Sequence, residues 1–199
     1  MKAVMISIQP KWVELIANGQ KTIEVRKTRP KIDTPFKCYI YETKCYDTLF
    51  GKGNPKKLWI SGGKVIGEFV CDRITDISVS VRNCNEDYNH VYHNDECKGS
   101  CLTWKELQEY GKGKPLYAWH ISDLVIYDEP KELWEFKTFC KSYYEGDNCD
   151  DCKYFIDCRG YEYDESDCAC NGLKPIERPP QSWQFVEEKE KRDDQRRNA

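Results

Sequence analysis

No apolar run in this sequence approaches the length of about 20 residues that a bilayer-spanning helix needs, and its start lacks the basic, apolar and small-residue succession of an export signal. The chain therefore reads as a cytoplasmic protein. Histidine is scarce, with only His90, His93 and His120, which leaves little material for imidazole acid–base chemistry. Alternation with Trp119 gives His120 a structural place in a strand. A dominant charge is also missing. The net charge is −3, so no global field draws the chain onto nucleic acid, and any anion site must be a local patch. No internal repeat is present.

Cysteine and charge are abundant. There are 12 cysteines, 33% charged residues and 13% aromatics in 199 residues. The aromatics can fill a core that the aliphatics alone would leave short. The length allows one generous domain, or one of about 130 residues with an appendage.

Along the chain, Ala3–Ile8 is a short apolar run suited to a buried strand. Pro10 then suits a first helical turn. Trp12, Leu15 and Ile16 fall on one helical face, and Gly19 is the expected stop. Thr22–Arg26, Lys37–Glu42, Lys64–Cys71 (running on toward Ile77) and Tyr117–Ile126 read as strands. Trp104–Tyr110 reads as a helix capped by Thr103, with Glu106 completing a capping box. The second half of 43–63, GKGNPKKLWISGG, reads as a loop rich in Gly and Lys. Short strands that suit antiparallel pairing favour a small barrel over a doubly wound sheet.

One stretch, GQKTIEVRK (19–27), carries chemistry. Period two places Thr22, Glu24 and Arg26 on one strand face, with Ile23 and Val25 on the other. If the apolar pair points inward, the polar trio faces a cleft, with Lys21 at its entrance. Arg26 offers a planar fork of donors suited to phosphate. Glu24 can accept from a base amino group, or simply hold Arg26 or Lys21 in place. Between residues 11 and 37 there are seven Lys or Arg against three acids, a modest patch that suits a nucleotide or short RNA rather than long duplex. On an exposed strand the same residues would be an ordinary solvated face with a weak ion pair. Lys11 adds to the patch. Among the aromatics, Trp12 sits at core spacing. Trp59, beside Lys56 and Lys57, is the better candidate for stacking a base.

The strand, the helix, the Gly19-x-Lys21-x-x-Glu24-x-Arg26 signature and the late YAWHIS strand together resemble the ASCH domain of the PUA-like superfamily, over about residues 1–130. The Cys-rich extension ending in RPPQSW is similar to that of a bacterial and phage subgroup. The resemblance implies an α+β fold, a PUA-like small β-barrel flanked by helices, that binds RNA or modified nucleosides beside the first helix. Some members are similar to amidohydrolases that remove the acetyl group of N4-acetylcytidine, and others have been linked to ribonuclease activity. In the amidohydrolases the resemblance implies a lysine, matched here by Lys21, and a threonine whose position falls on Glu24.

Residues 128–168 hold thirteen Asp or Glu against five Lys or Arg, and six cysteines lie between 140 and 170. Cys149-Asp-Asp-Cys152 has the gap that lets two thiolates bind one zinc from a single turn. Cys149, Cys152, Cys158 and Cys168, with Cys140 or Cys170 as substitutes, can close a structural site that staples a segment poor in apolar residues. His90, His93, Cys97 and Cys101 form a second candidate set. Cys38 and Cys71 lie on strands and read as small core residues. The double proline of RPPQSW favours an extended segment, which Trp183 and Phe185 dock back on the domain.

The organisation expected is an ASCH/PUA-like domain over 1–130, a zinc-stapled Cys-rich extension over 131–186 and a disordered tail over 187–199. The function expected is RNA or nucleotide binding through Lys21, Thr22, Glu24 and Arg26, with Lys11 and Trp59 contributing. Turnover of N4-acetylcytidine through Lys21 is the alternative, and a protein partner at the acidic extension is a further one.

Overall fold

In the computed structural model, residues 2–49, 56–78, 95–139 and 172–189 are described. The elements run β1 (Lys2–Ile8), α1 (Pro10–Ala17), β2 (Ile23–Arg26), β3 (Phe36–Glu42), β4 (Cys45–Leu49), β5 (Lys56–Ser61), β6 (Val65–Asp76), α2 (Asp95–Ser100), α3 (Trp104–Gly111) and β7 (Tyr117–Lys131). A 3₁₀ turn (Leu133–Glu135), β8 (Lys137–Phe139), β9 (Leu173–Pro175) and β10 (Trp183–Glu187) follow.

Six strands form the main sheet in the order β10-β1-β3-β6-β7-β2, and two two-stranded sheets, β4–β5 and β8–β9, accompany it. β1 and β3 are parallel, because α1 and β2 intervene between them, while the other neighbours are antiparallel. Within the stretch expected to be a Lys-rich loop, Lys56–Ser61 is the strand β5, paired antiparallel with β4 with Tyr46 opposite Trp59.

Both faces of the sheet are covered, so β1, β3 and the first half of β6 carry apolar residues on both faces, interrupted by Ser7, Lys37 and Glu68. On one face Val4, Ile6 and Ile8 of β1 pack with Cys38 and Ile40 of β3, Phe69 and Cys71 of β6, Trp119 of β7, and Val13 and Ile16 of α1. On the other, Ala3, Met5, Tyr39, Tyr41 and Val186 pack under Leu133, Phe136 and Ile176. Cys38 and Cys71 are fully buried, as core residues. A third cluster joins Ile23 and Val25 of β2 to Leu107 of α3, Leu116, Ala118 and Ile77.

The caps explain where the helices stop and start. Pro10 opens α1, and Gly19 takes φ +76° just after it, a conformation that costs glycine little. Thr103 and Glu106 form the capping box of α3, with Thr103 Oγ1 accepting from the Glu106 N–H at 3.2 Å.

The closed barrel implied by the resemblance is not what the strands build. Among the described residues no ladder joins the two ends of the order, β10 and β2. β2 spans only four residues. Just before it, the Thr22 N–H is taken by the Gly99 carbonyl of α2 at 2.8 Å. The ends are drawn together by a side chain instead. The guanidinium of Arg26 on β2 donates to the Ser7 carbonyl of β1 and lies 3.5 Å from Ser182 Oγ at the approach to β10. Among the described residues no helix is long and apolar enough to cross a membrane.

Candidate functional site

A cavity of about 270 Å³ lies at this unclosed seam, between the ends of β1 and β2 and beside α1. Lys21, Glu24, Val25 and Arg26 line one part of it, Ser7, Ile8, Gln9 and Thr43 another. Trp12, Leu102, Tyr110 and Gln181 complete the lining.

The register of β2 explains why its charged residues come here. Glu24 pairs with Trp119 and Val25 with Ala118, and directly opposite residues share a face. Ile23 and Val25 therefore turn to the α3 cluster, while Glu24 and Arg26 turn to the Trp119 face. Lys21 precedes the strand, and its backbone N–H is tied to the Leu15 carbonyl of α1 at 2.8 Å.

These three charges do not form a solvated face. Lys21, Glu24 and Arg26 are 2%, 7% and 8% exposed. Lys21 Nζ donates to the Ser100 carbonyl at 2.6 Å and lies 3.4 Å from Glu24 Oε2. Glu24 Oε1 lies 3.1 Å from Arg26 Nε. That contact is an ion pair off the line of the N–H, so Arg26 Nε has no aligned hydrogen-bond partner among the described residues. Ser100 closes α2, whose final carbonyls have no partner within the helix. One of them is matched here by an ammonium.

Two cations and one carboxylate leave the site with a net positive charge. Burial holds the Lys21 ammonium below the usual lysine range, and Arg26 adds to that effect, while Glu24 opposes both. A buried amine of lowered basicity beside a cavity is the physical pattern of a functional group. Burial likewise raises the Tyr110 phenol.

Trp12 belongs to the site more than its core spacing suggested. Its ring sits 5.0 Å from Lys21 Nζ and 4.3 Å from Lys11 Nζ, within cation–π range. Tyr110 carries Lys27 Nζ 4.6 Å from its ring centroid.

Thr22 falls outside the cavity lining and is exposed, because β2 begins one residue later, at Ile23. Lys11 is exposed and reaches the site only through the Trp12 ring. Trp59 lies on β5. Ser7, Thr43 and Gln181 come from elements far apart in sequence, and no local motif marked them.

Cys140, Cys149, Cys152, Cys158, Cys168 and Cys170 all lie outside the described residues, as do His90 and His93. Among the described residues no group of three or more His, Cys, Asp or Glu is placed to hold a metal. Cys101 is half-exposed, with Sγ 3.4 Å from the Gln20 carbonyl.

The architecture has solved counterparts. An ASCH protein from Zymomonas mobilis is 19% identical, with 66% of this chain and 73% of that one covered and a TM-score of 0.46. A single-residue variant of the same protein is 16% identical, with 93% and 88% covered and a TM-score of 0.50. At such identity the second likeness is one of fold alone. No curated protein matches the sequence. The sequence does match the ASCH domain over residues 6–145, and on that match the chain belongs to the ASCH domain family.

Proposed function

We propose that the cavity binds a nucleotide-sized ligand, either a nucleoside or an unstacked base of single-stranded RNA. RNA binding is the role proposed for this family of PUA-like folds. The observation that carries the proposal is the buried Lys21–Glu24–Arg26 trio set against an open cavity. A structural ion pair gains by being sealed and fully matched, whereas this one keeps a net positive charge, and a buried Arg26 Nε without an aligned hydrogen-bond partner among the described residues, beside a cavity. Trp12 and Tyr110 add aromatic walls of the kind that hold unstacked bases. The volume lies near the lower bound of about 300 Å³ for small-molecule pockets, which fits one base and excludes a duplex.

Titration of the full chain with 5′-monophosphates and with short single-stranded RNA tests this. Arg26→Lys keeps the charge but loses the planar fork, and is expected to weaken binding about tenfold or more. Wild-type binding that is unchanged in Arg26→Lys and Lys21→Met would place the ligand elsewhere.

A second reading is favoured by the lowered basicity of Lys21. A lysine of this kind serves as a base or nucleophile, and amide hydrolysis of N4-acetylcytidine is the reaction that the family resemblance implies. Glu24 stands where the hydrolases carry threonine, but Thr43 brings a hydroxyl to the same cavity from another element. Chromatography for cytidine after incubation with N4-acetylcytidine, with Lys21→Ala as control, decides it. Lysine-dependent cytidine establishes turnover, and its absence from folded protein leaves binding alone.

For the extension we propose a structural zinc on Cys149, Cys152, Cys158 and Cys168, with Cys140 or Cys170 as substitutes. The two-residue gap of the first pair supports it. Metal analysis of protein purified under reducing, chelator-free conditions is expected to return about one zinc per chain, and a metal-free folded protein would refute it.

A further inference from the structure

One wall of the cavity comes from outside the family segment. The ASCH match ends at residue 145, yet Gln181, in the Arg178-Pro-Pro-Gln-Ser-Trp183 strap, lines the same cavity as Lys21, Glu24 and Arg26. The strap is pinned on both sides of Gln181. Before it, Ser7 Oγ donates to the Pro180 carbonyl at 2.6 Å. After it, the Ser7 N–H donates to the Ser182 carbonyl at 2.9 Å, and Trp183 Nε1 donates to Thr28 Oγ1 at 2.9 Å. Pro179 and Pro180 restrict the backbone further.

Gln181 is thus a single exposed residue between fixed neighbours. Its carboxamide has no hydrogen-bond partner among the described residues. The pins tie the strap to β1, and they also lower the entropy that a residue with no hydrogen-bond partner of its own among the described residues loses on meeting a ligand.

The charged groups of the cavity leave a part that a carboxamide fills, and two carboxamides line it, Gln9 at the start of α1 and Gln181, the one that the strap contributes. Lys21 and Arg26 are donors only, and Glu24 when ionised is an acceptor only. These groups read charge, but none presents a donor and an acceptor side by side. A glutamine does, and this is the geometry that pairs bidentately with a nucleobase edge.

Resting on the reading of the cavity as a nucleotide site, we propose that Gln181 is a specificity-determining residue of that site. Its carboxamide pairs with a base edge that carries an amino group beside a ring nitrogen, as in cytosine or adenine. Lys21 and Arg26 hold the remainder of the nucleotide.

The test is isothermal titration of the full chain with the 5′-monophosphates of cytidine, adenosine, guanosine and uridine. Wild type, Gln181→Ala, Gln181→Glu and Arg26→Lys are compared. The expected result is that cytidine or adenosine monophosphate binds best to wild type. Gln181→Ala should then lose about tenfold for that nucleotide and little for the others, so that the ranking flattens. Gln181→Glu keeps the shape and removes the donor, so it too should lose the preference. Both variants should keep the wild-type melting temperature, as the side chain makes no hydrogen bond among the described residues. If both Gln181 variants keep the wild-type affinities and ranking while Arg26→Lys loses binding, the strap proposal is overturned and the cavity reading stands. If wild type prefers guanosine or uridine monophosphate, the base-edge assignment is overturned. If wild type binds none of the four, the Gln181 proposal is overturned, and the cavity reading falls with it if short single-stranded RNA is not bound either.

Discussion

The two faces of the main sheet each carry a lysine–glutamate pair, and the pairs end differently. On the back face Lys37 Nζ lies 3.3 Å from Glu68 Oε1, and the Tyr127 hydroxyl donates to Glu68 Oε2 at 2.7 Å. Glu188 approaches the same ammonium at 3.9 Å. Every oxygen of Glu68 is thus engaged, and that face is packed beneath Leu133, Phe136 and Ile176. On the cleft face Lys21 and Glu24 are 3.4 Å apart, a similar separation, but a second cation stands beside them and a cavity opens on the trio. On the back face each oxygen of the Glu68 carboxylate has a partner, although its side chains are the more exposed, 15% and 16% for Lys37 and Glu68 against 2% and 9% for Lys21 and Glu24. The cleft trio is charged and incompletely matched, as expected of a group waiting for a ligand. Proximity of opposite charges alone does not separate the two cases; the remaining valences do.

Removing the carboxylate from each face should give the largest difference. Glu24→Gln leaves Lys21 and Arg26 buried side by side without an anion, at a cost of about 3–5 kcal/mol. Glu68→Gln keeps the oxygen that Tyr127 reaches, and Lys37 still has Glu188, so the loss should be about 1 kcal/mol. Urea unfolding measures both. Equal losses would break the comparison.

The seam between the faces comes next. A Cβ on Gly99 would lie 2.7 Å from Thr22 Oγ1 and 2.9 Å from the Ile23 side chain. Gly99→Ala should therefore push α2 away from β2 and cost about 1–3 kcal/mol. Because Ser100 follows directly and carries the carbonyl that Lys21 holds, ligand binding should weaken with stability in this variant. Cutting the strap is milder. Ser7→Ala removes the bond to Pro180 and should cost about 1 kcal/mol, with a larger effect on nucleotide affinity than on melting temperature. A Ser7→Ala protein that binds normally would detach the strap from the site.

Much of this was legible in the sequence because it rests on local signals. The capping box of Thr103 and Glu106, the stop at Gly19 and the strands around the signature follow from residue types at fixed spacing. The return of Trp183 to the sheet, where its ring lies 6.2 Å from that of Trp119, was also readable from two aromatics after a double proline. The strand β5 was missed because Gly, Asn, Pro and Lys outweighed a short Leu58-Trp59-Ile60 run. The burial of Glu24 and Arg26 was not legible, since alternation reports that two faces differ and not how wet either is. The seam was invisible for a stronger reason. Ser7, Thr43 and Gln181 meet Lys21 only through strand order, and parallel pairing of β1 with β3 has no signature within either strand.

The smallest expected effect is on alkaline stability, and it differs in sign between the two faces. Lys21 has a folded pKa below the ordinary 10.5, so between the two values the unfolded chain binds more protons. Its contribution to stability therefore rises with pH across that window. Tyr39, on the back face, accepts from the Lys189 N–H at 2.8 Å, and burial pushes its phenol up from 10.0 to about 12. Across that interval the folded chain binds more protons, so the contribution of Tyr39 is complete below the unfolded value and is lost as pH rises toward 12. Urea midpoints taken in steps from pH 8 to pH 11 should separate the two. Relative to wild type, Lys21→Met should gain least at the highest pH, and Tyr39→Phe should gain most there. Burial causes both shifts and acts oppositely on a base and an acid, so curves of the same slope would mean that Lys21 is hydrated in the folded chain, and the buried trio on which the reading of the cleft rests would fail at its most sensitive residue.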